Sequence, residues 1–278
     1  MSTSSSPQAD EKDSPFEGSA PERYEQYSAP VMAPFVAALL DAVDLCPGHQ
    51  VLDLAAGTGF VARAAAARVG PTGHVVAADP SGPMLKVAAA KAPRMYPDIE
   101  FTVAPADRLP QPDDAFDTVL CQQGVQCFPD LGAALAEVSR VLRPGGRFAA
   151  TVWAAWDRSP YFAAQRRVLT EHGGPSAEAY FAAAFSCPAD RLAGALTDAG
   201  FHGVTVREVT PDITLPPLAA FVRGYLSAVP WGQAIEDAAG PDGLTAAAEA
   251  VTAALADRTD PDGTATVPFT ATLVTAIR

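Results

Sequence analysis

The stretch Gln50-Val51-Leu52-Asp53-Leu54 runs directly into Ala55-Ala56-Gly57-Thr58-Gly59 and then into the alanine-rich segment Phe60–Val69. A short apolar run, a glycine-bearing turn and a helix-forming segment, in that order, make a strand–turn–helix unit. Glycines at 57 and 59 let the backbone take positive φ and approach a ligand closely without steric penalty. The helix that follows turns its free N–H groups and its positive dipole end to the same spot.

The alternation then repeats. His74–Ala78 reads as a second strand ending at Asp79, followed by a helix from about Ser81 to Ala92 closed by Pro93. Ile99–Ala104 and Phe116–Cys121 read as the third and fourth strands. Leu131–Leu142 is an amphipathic helix stopped by Arg143-Pro144-Gly145-Gly146, and Arg147–Trp153 is a fifth strand. Such alternation predicts an α/β chain with a parallel, doubly wound sheet covered on both faces.

The second half is less regular. Residues 154–186 read as two helices broken at Gly173-Gly174, and Asp190–Ala199 as a helix ended by Gly200. A strand at Val204–Val209, helical stretches at about 217–228 and 244–257, and a final strand Thr266–Ile277 complete the chain. The expected organisation is a disordered tail over 1–19, a helical lid over 20–49 and an α/β core over 50–153. A helical cap insertion follows over 154–186, and 187–278 holds the rest of the sheet with a further cap insertion at about 211–258.

The net charge of −13 argues against a nucleic-acid partner, which needs a lysine or arginine stripe to neutralise phosphates. An acidic surface also suits anionic lipid poorly, and the longest apolar run near the N-terminus, Val31–Val43, is too short to span a bilayer. Cys46, Cys121, Cys127 and Cys187 form no Cys-x-x-Cys pair, so they are expected as buried, reduced thiols, and no metal site is expected. No signal peptide is visible, and a soluble, cytoplasmic protein is expected.

Asp79 lies 20 residues after Gly59 at the expected end of the second strand, where a carboxylate can accept hydrogen bonds from both hydroxyls of a ribose. The first two strands therefore spell an adenosine site. Gly57-x-Gly59-x-x-Ala62 also satisfies the dinucleotide fingerprint, which leaves a nicotinamide-dependent oxidoreductase open. Asp53 in the loop approach favours a cationic ligand over a pyrophosphate. Asp107, 28 residues after Asp79, can accept from an adenine amino group. Each also has a plainer role available: Asp53 ordering the loop through backbone N–H groups, Asp79 and Asp107 as helix N-caps.

Val51–Gly59, Ala78-Asp79-Pro80-Ser81-Gly82-Pro83-Met84-Leu85 and Ala106-Asp107-Arg108-Leu109-Pro110 resemble the successive cofactor motifs of class I S-adenosylmethionine-dependent methyltransferases. Phe116–Val119, Gly124–Asp130 and Val138–Gly146 resemble the branch that includes the quinone-biosynthesis enzymes. The resemblance implies a Rossmann-like, seven-stranded sheet with an antiparallel last strand, with S-adenosylmethionine as cofactor and S-adenosylhomocysteine as product. It places Asp53, Ala55, Gly57 and Gly59 under the methionyl part and Asp79 on the ribose. Pro80 and Met84 would pack near the adenine, Ala106 with Asp107 would read its amino edge, and Gln122 and Gln123 would lie near the reaction centre. Tyr24, on an N-terminal segment that folds over the cofactor in relatives, would close the pocket.

On the acceptor side, His172 in Thr170-Glu171-His172-Gly173-Gly174 is the candidate general base, because His49, His74 and His202 fall at the far edge or in a turn. Gln126 stands where many quinone-type enzymes carry histidine; it can orient an acceptor but cannot take its proton. Trp153, Phe162, Phe181, Phe221, Tyr225 and Trp231 line an apolar pocket or pack the cap. The expected partner is a small apolar or aromatic metabolite. A protein that binds S-adenosylmethionine for a cyclisation or rearrangement stays open beside methyl transfer.

Overall fold

In the computed structural model, residues 19–92 and 98–278 are described. The tail expected over 1–19 lies, Ser19 apart, outside those residues, as does Pro93.

Strand β1 (Gln50–Leu54) pairs in parallel with β2 (His74–Asp79) on one side and with β4 (Phe116–Gln122) on the other. Strand β3 (Ile99–Val103) lies outside β2, and β5 (Leu142–Trp153) lies parallel beside β4. The last strand, β9 (Ala271–Ile277), inserts antiparallel between β5 and β6 (His202–Val209), giving the order β3-β2-β1-β4-β5-β9-β6. This is the expected doubly wound, seven-stranded sheet. Its order reverses between β1 and β4, which opens a crevice at their carboxyl ends, where ligands bind in open α/β sheets.

Successive side chains of a strand point to opposite faces, and both faces are covered here. Val51, Val75 and Leu120 meet Val36, Leu39, Val61 and Leu85 on one face. These come from α1 (Ala20–Asp41), α2 (Phe60–Val69) and α3 (Gly82–Lys91). Leu52, Val76 and Val119 meet Leu135, Val138 and Leu192 on the other, from α4 (Leu131–Val141) and α7 (Ala189–Asp198).

Above the sheet lies a cap of α5 (Pro160–His172), α6 (Gly174–Ala184), α8 (Leu218–Ala228) and α9 (Pro230–Ala254). A two-stranded sheet of β7 (Asp212–Leu215) and β8 (Ala265–Pro268) completes it. The single final strand expected over Thr266–Ile277 is therefore two. Pro268 has no N–H, and at Phe269-Thr270 the backbone turns to other partners: Phe269 N donates to Pro211 O at 3.1 Å and Thr270 N to Ser159 Oγ at 2.9 Å.

Helix α9 starts at 230 rather than 244, because burial of Trp231, Ala234 and Ile235 overrides the weak propensity of Gly232, Gly240 and Pro241. Its non-helical residue, Gly240 at φ 71°, marks a kink. Helix α1 is likewise longer than the expected Val31–Val43 and runs through Pro30 and Pro34. All four cysteines are free, but only Cys121 and Cys187 are buried; Cys46 and Cys127 are exposed. Among the described residues no helix is long and apolar enough to cross a membrane, and no cluster of three metal-ligating side chains occurs.

Candidate cofactor and acceptor site

The turn after β1 is built from left-handed backbone: Ala55 (φ 56°), Gly57 (φ 54°) and Gly59 (φ 82°). A Cβ on Gly57 would meet nothing within 4 Å, whereas one on Gly59 would sit 3.0 Å from Ala88 Cβ. Gly57 thus faces open space, and Gly59 lets α2 and α3 close up. The exit of β4 comes equally near, since a Cβ on Gly124 would lie 2.6 Å from Ala55 Cβ. That approach delivers Gln122 and Gln123 to the glycine turn.

Two buried carboxyls organise the turn. Asp79 Oδ2 accepts from Gly57 N and Oδ1 from Ser81 N, both at 2.8 Å. Burial pushes its carboxyl above the ordinary range, against these two N–H donors. The cap of α3 is Ser81, whose Oγ accepts from Met84 N, so Asp79 is not the helix cap and stands at the crevice. Asp53 is 1% exposed, and its Oδ2 accepts from Ala62 N at 2.8 Å, tying strand to helix across the loop. Burial pushes its pKa up to about 8; the Ala62 N–H opposes the shift, Asp79 adds to it and Arg63 reduces it.

Helix α1 lies over this turn. Arg63 Nη1 donates to Thr58 O at 2.6 Å, and its Nη2 pairs with Glu25 Oε1 at 2.7 Å. Tyr24 is partly buried near Phe60, with ring centroids 6.3 Å apart. Its phenol is raised by burial first, then by Cys127, Asp79 and Glu25, which places the hydroxyl among the cleft's acidic groups. The same helix is fastened to the cap. Arg23 Nε donates to Ser227 O at 3.0 Å, and a Cβ on Gly224 would lie 2.2 Å from the ring of Tyr27. Gln122 Nε2 donates to Met32 O at 3.0 Å, fastening α1 to the sheet as well.

The other expected residues are placed unevenly. Met84 is buried and Pro80 exposed beside Asp79. Ala106 is buried, while Asp107 is exposed on the turn Pro105–Arg108, four residues past β3 rather than at its end, with no helix behind it to cap. Gln123 has φ 53°, and both atoms of its amide are buried without a partner. Gln126 folds back: its Nε2 donates to Gln123 O at 2.7 Å, which leaves Oε1 as its open group. His172 is exposed at the last residue of α5, away from the glycine turn's buried carboxyls.

A family model described as a methyltransferase domain matches residues 51–146. The demethylmenaquinone methyltransferase of Renibacterium salmoninarum is 34% identical over 208 residues, covering 69% of this chain and 82% of that protein. The chain belongs to the class I S-adenosylmethionine-dependent methyltransferase family. The ubiquinone/menaquinone biosynthesis C-methyltransferase UbiE of Ectopseudomonas mendocina is 43% identical over 103 residues, 36% of this chain. The chain spans about 40% of that relative's length. The fold recurs in phosphoethanolamine N-methyltransferase 2 of Haemonchus contortus, solved with phosphomonomethylethanolamine and S-adenosylhomocysteine. There the TM-score is 0.58 at 18% identity, with 93% of this chain and 56% of that one covered.

Family membership answers the ambiguity of the glycine fingerprint, and the donor set agrees. Asp53, Asp79 and Glu25 surround the turn with Arg63 as the neighbouring cation, itself paired. An acidic rim suits a ligand carrying a sulfonium and an ammonium, and suits a pyrophosphate poorly. Thr58 Oγ1, Glu25 Oε2 and the Gln123 amide are buried polar atoms without partners around the same turn. Such groups are uncommon and mark a place where a polar ligand completes the hydrogen bonding. The residues present fit S-adenosylmethionine.

Glu25 and Arg63 escaped the sequence reading. No motif marks them, and their proximity depends on where α1 docks. Replacing Glu25 by Gln breaks the ion pair between α1 and α2; S-adenosylhomocysteine is expected to bind roughly fivefold more weakly by calorimetry, in line with a pair whose side chains are mostly buried. Unchanged affinity would show that the lid closes without this pair.

Proposed function

We propose that this chain transfers a methyl group from S-adenosylmethionine to a small, apolar and aromatic metabolite. The supporting observation is the junction of the acidic glycine turn with a buried aromatic cluster. Trp153, at the end of β5, stacks edge-on with Phe35 and Phe162 at 5.2 and 4.9 Å between centroids. A polar floor for the cofactor thus borders an apolar wall for the acceptor.

When bound, the cofactor supplies an electrophilic methyl on a sulfonium. Asp79 would hold the ribose hydroxyls, and the backbone of Ala55, Gly57 and Gly59 would carry the methionyl part over Asp53. Met84 and Pro80 would flank the adenine, Asp107 beside Ala106 would accept from its amino group, and Tyr24 would close the site from α1. Gln122, already tied to Met32 O, would steady the lid beside the methionyl group, while Gln123 and Gln126 would orient the acceptor.

Proton removal finds little support. His172 is exposed, and the phenols of Tyr161 and Tyr225 are raised by burial, so they stay protonated and act as donors. The acceptor is then one that is nucleophilic without help, such as an electron-rich ring carbon or an oxygen that ionises in water. The cleft's negative character favours neither nucleic acid nor anionic lipid, and the enzyme works in the cytoplasm.

Ligand-dependent melting tests the cofactor assignment. S-adenosylhomocysteine at a hundred times its Kd adds about 2.7 kcal/mol of stability and raises Tm by several degrees, whereas NAD and NADP leave it unchanged. A shift with NAD or NADP alone would overturn the reading.

A further inference from the structure

Two charged side chains on α4 grip the segment that carries Asp107. Residues 104–115, between β3 and β4, form neither helix nor strand, and that segment is held at two points. At its start Ala104 N donates to Asp79 O at 3.2 Å. Further on, Leu109 is held at both of its backbone groups: its N donates to Glu137 Oε2 at 2.9 Å, and its O accepts from Arg140 Nη2 at 3.0 Å. Glu137 and Arg140 thus offer one residue the acceptor and the donor that a neighbouring strand would offer. The same guanidinium reaches on through Nη1 to Gln111 O and to Asp113 Oδ1, both at 2.8 Å.

The pair is itself rigid. Arg140 Nε and Nη2 bond the two carboxylate oxygens of Glu137 at 2.7 and 2.8 Å, across one turn of α4. The guanidinium holds the Glu137 carboxyl below its ordinary range, against partial burial and with help from the Leu109 N–H. An ion pair at this helical spacing contributes little to stability by itself. What sets this one apart is that its remaining bonds converge on the backbone of a single loop. Asp107, by contrast, is exposed, and its carboxylate has no partner among the described residues. It lies between the two held points, Ala104 and Leu109, so its oxygens are placed by the backbone alone.

We propose that Glu137 and Arg140 are positioning residues for the cofactor's base: by fixing Leu109 they hold the Asp107 carboxylate in place, and so set the preference for adenine over a base with oxygen at the amino position. A recognising group has to be held to within about 0.5 Å by the bonds behind it. A carboxylate that accepts from an amino group repels a carbonyl put there instead. When the carboxylate drifts, affinity for the amino base falls and affinity for the oxo base does not. The fork matters as well as the charge. Lysine at 140 would still pair with Glu137 but would not span Leu109 O and Gln111 O together. This inference rests on Asp107 reading the adenine, as proposed above, and adds the residues behind it.

Calorimetry on the full chain tests it, with S-adenosylhomocysteine and S-inosylhomocysteine as probes; the second carries a carbonyl where the first carries the amino group. The wild type is expected to prefer the adenine form by about thirtyfold. Arg140→Gln and Arg140→Lys should each bring the ratio to within about threefold, with S-inosylhomocysteine bound no more weakly than by the wild type. Glu137→Gln, which keeps an acceptor for Leu109 N, should fall between. Asp107→Ala should erase the preference, and Arg140→Gln added to it should leave the ratio unchanged. A merely structural role would lower Tm and weaken both probes alike, and that result overturns the proposal. So does a preference that survives in both Arg140 variants, or, where these do not fold, one that survives intact in Glu137→Gln. A wild type without preference, or a preference that Asp107→Ala leaves intact, would overturn the Asp107 reading itself. Failure to bind S-adenosylhomocysteine at all would overturn the methyltransferase reading.

Discussion

Asp79→Ala is expected to weaken S-adenosylhomocysteine binding by roughly a hundredfold or more, read by calorimetry near neutral pH. Two losses combine. The carboxylate's remaining lone pairs would no longer accept from the ribose hydroxyls that Asp79 is proposed to hold, and hydrogen bonds to a charged group contribute about 1.5–3 kcal/mol each. At the same time Gly57 N and Ser81 N lose their shared acceptor, so the glycine turn and the start of α3 are held less firmly. Asp79→Asn separates the two losses. It can keep one backbone contact while losing the charge, and it should fall between Ala and wild type. Affinity close to wild type in both variants would mean that the ribose sits elsewhere.

Asp53 gives the second large effect, and it appears as a pH dependence. Its carboxyl has an ordinary pKa near 4 in the unfolded chain and about 8 in the fold, raised by burial. Between those values the folded state binds the extra proton. Its contribution is therefore intact below about pH 4 and is lost progressively as pH rises through about 8, by several kcal/mol in all. Asp53→Asn removes the titration. The difference in unfolding free energy between variant and wild type should grow from pH 5 to pH 8 in the variant's favour, measured by denaturant titration without ligand. A cationic ligand above the loop opposes the shift, so binding of S-adenosylmethionine to wild type near pH 7 should release up to one proton, and binding to the variant none. Calorimetry in buffers of different ionisation enthalpy reads that number directly. A flat difference curve would mean that Asp53 is already ionised in the free protein.

The core of the fold was legible because its signals are local. Glycines 57 and 59, the apolar strands before and after them, and the stop at Pro144-Gly145-Gly146 each declare a structure within a few residues. Asp53 and Asp79 could be read for the same reason, since strand ends fix their positions. The second half resisted because its decisions are tertiary. Trp231 and Ile235 make a helix out of a glycine-rich stretch only because α8 and α5 are there to bury them. Nothing between Thr266 and Ile277 except Pro268 announces that the strand changes sheets. The cleft's polar groups divide along the same line. Gln123 lies next to a motif, whereas Glu25 comes to the glycine turn only once α1 has docked. For His172 the sequence offered the right chemistry, and the end of α5 left it in solvent.

Helix α1 has a consequence for the order of events during turnover. One end of it bears on the glycine turn through Glu25 and Arg63; the same helix is notched into α8 by Tyr27 at Gly224 and fastened by Arg23 to Ser227. If the cofactor and acceptor bind as proposed, the roof over the one and the wall beside the other share a beam. Spent cofactor cannot leave by lifting this helix while the chamber stays shut around a product. Kinetically, that favours a compulsory sequence in which the methylated product departs first and the nucleoside last, so S-adenosylhomocysteine should compete with S-adenosylmethionine but not with the acceptor.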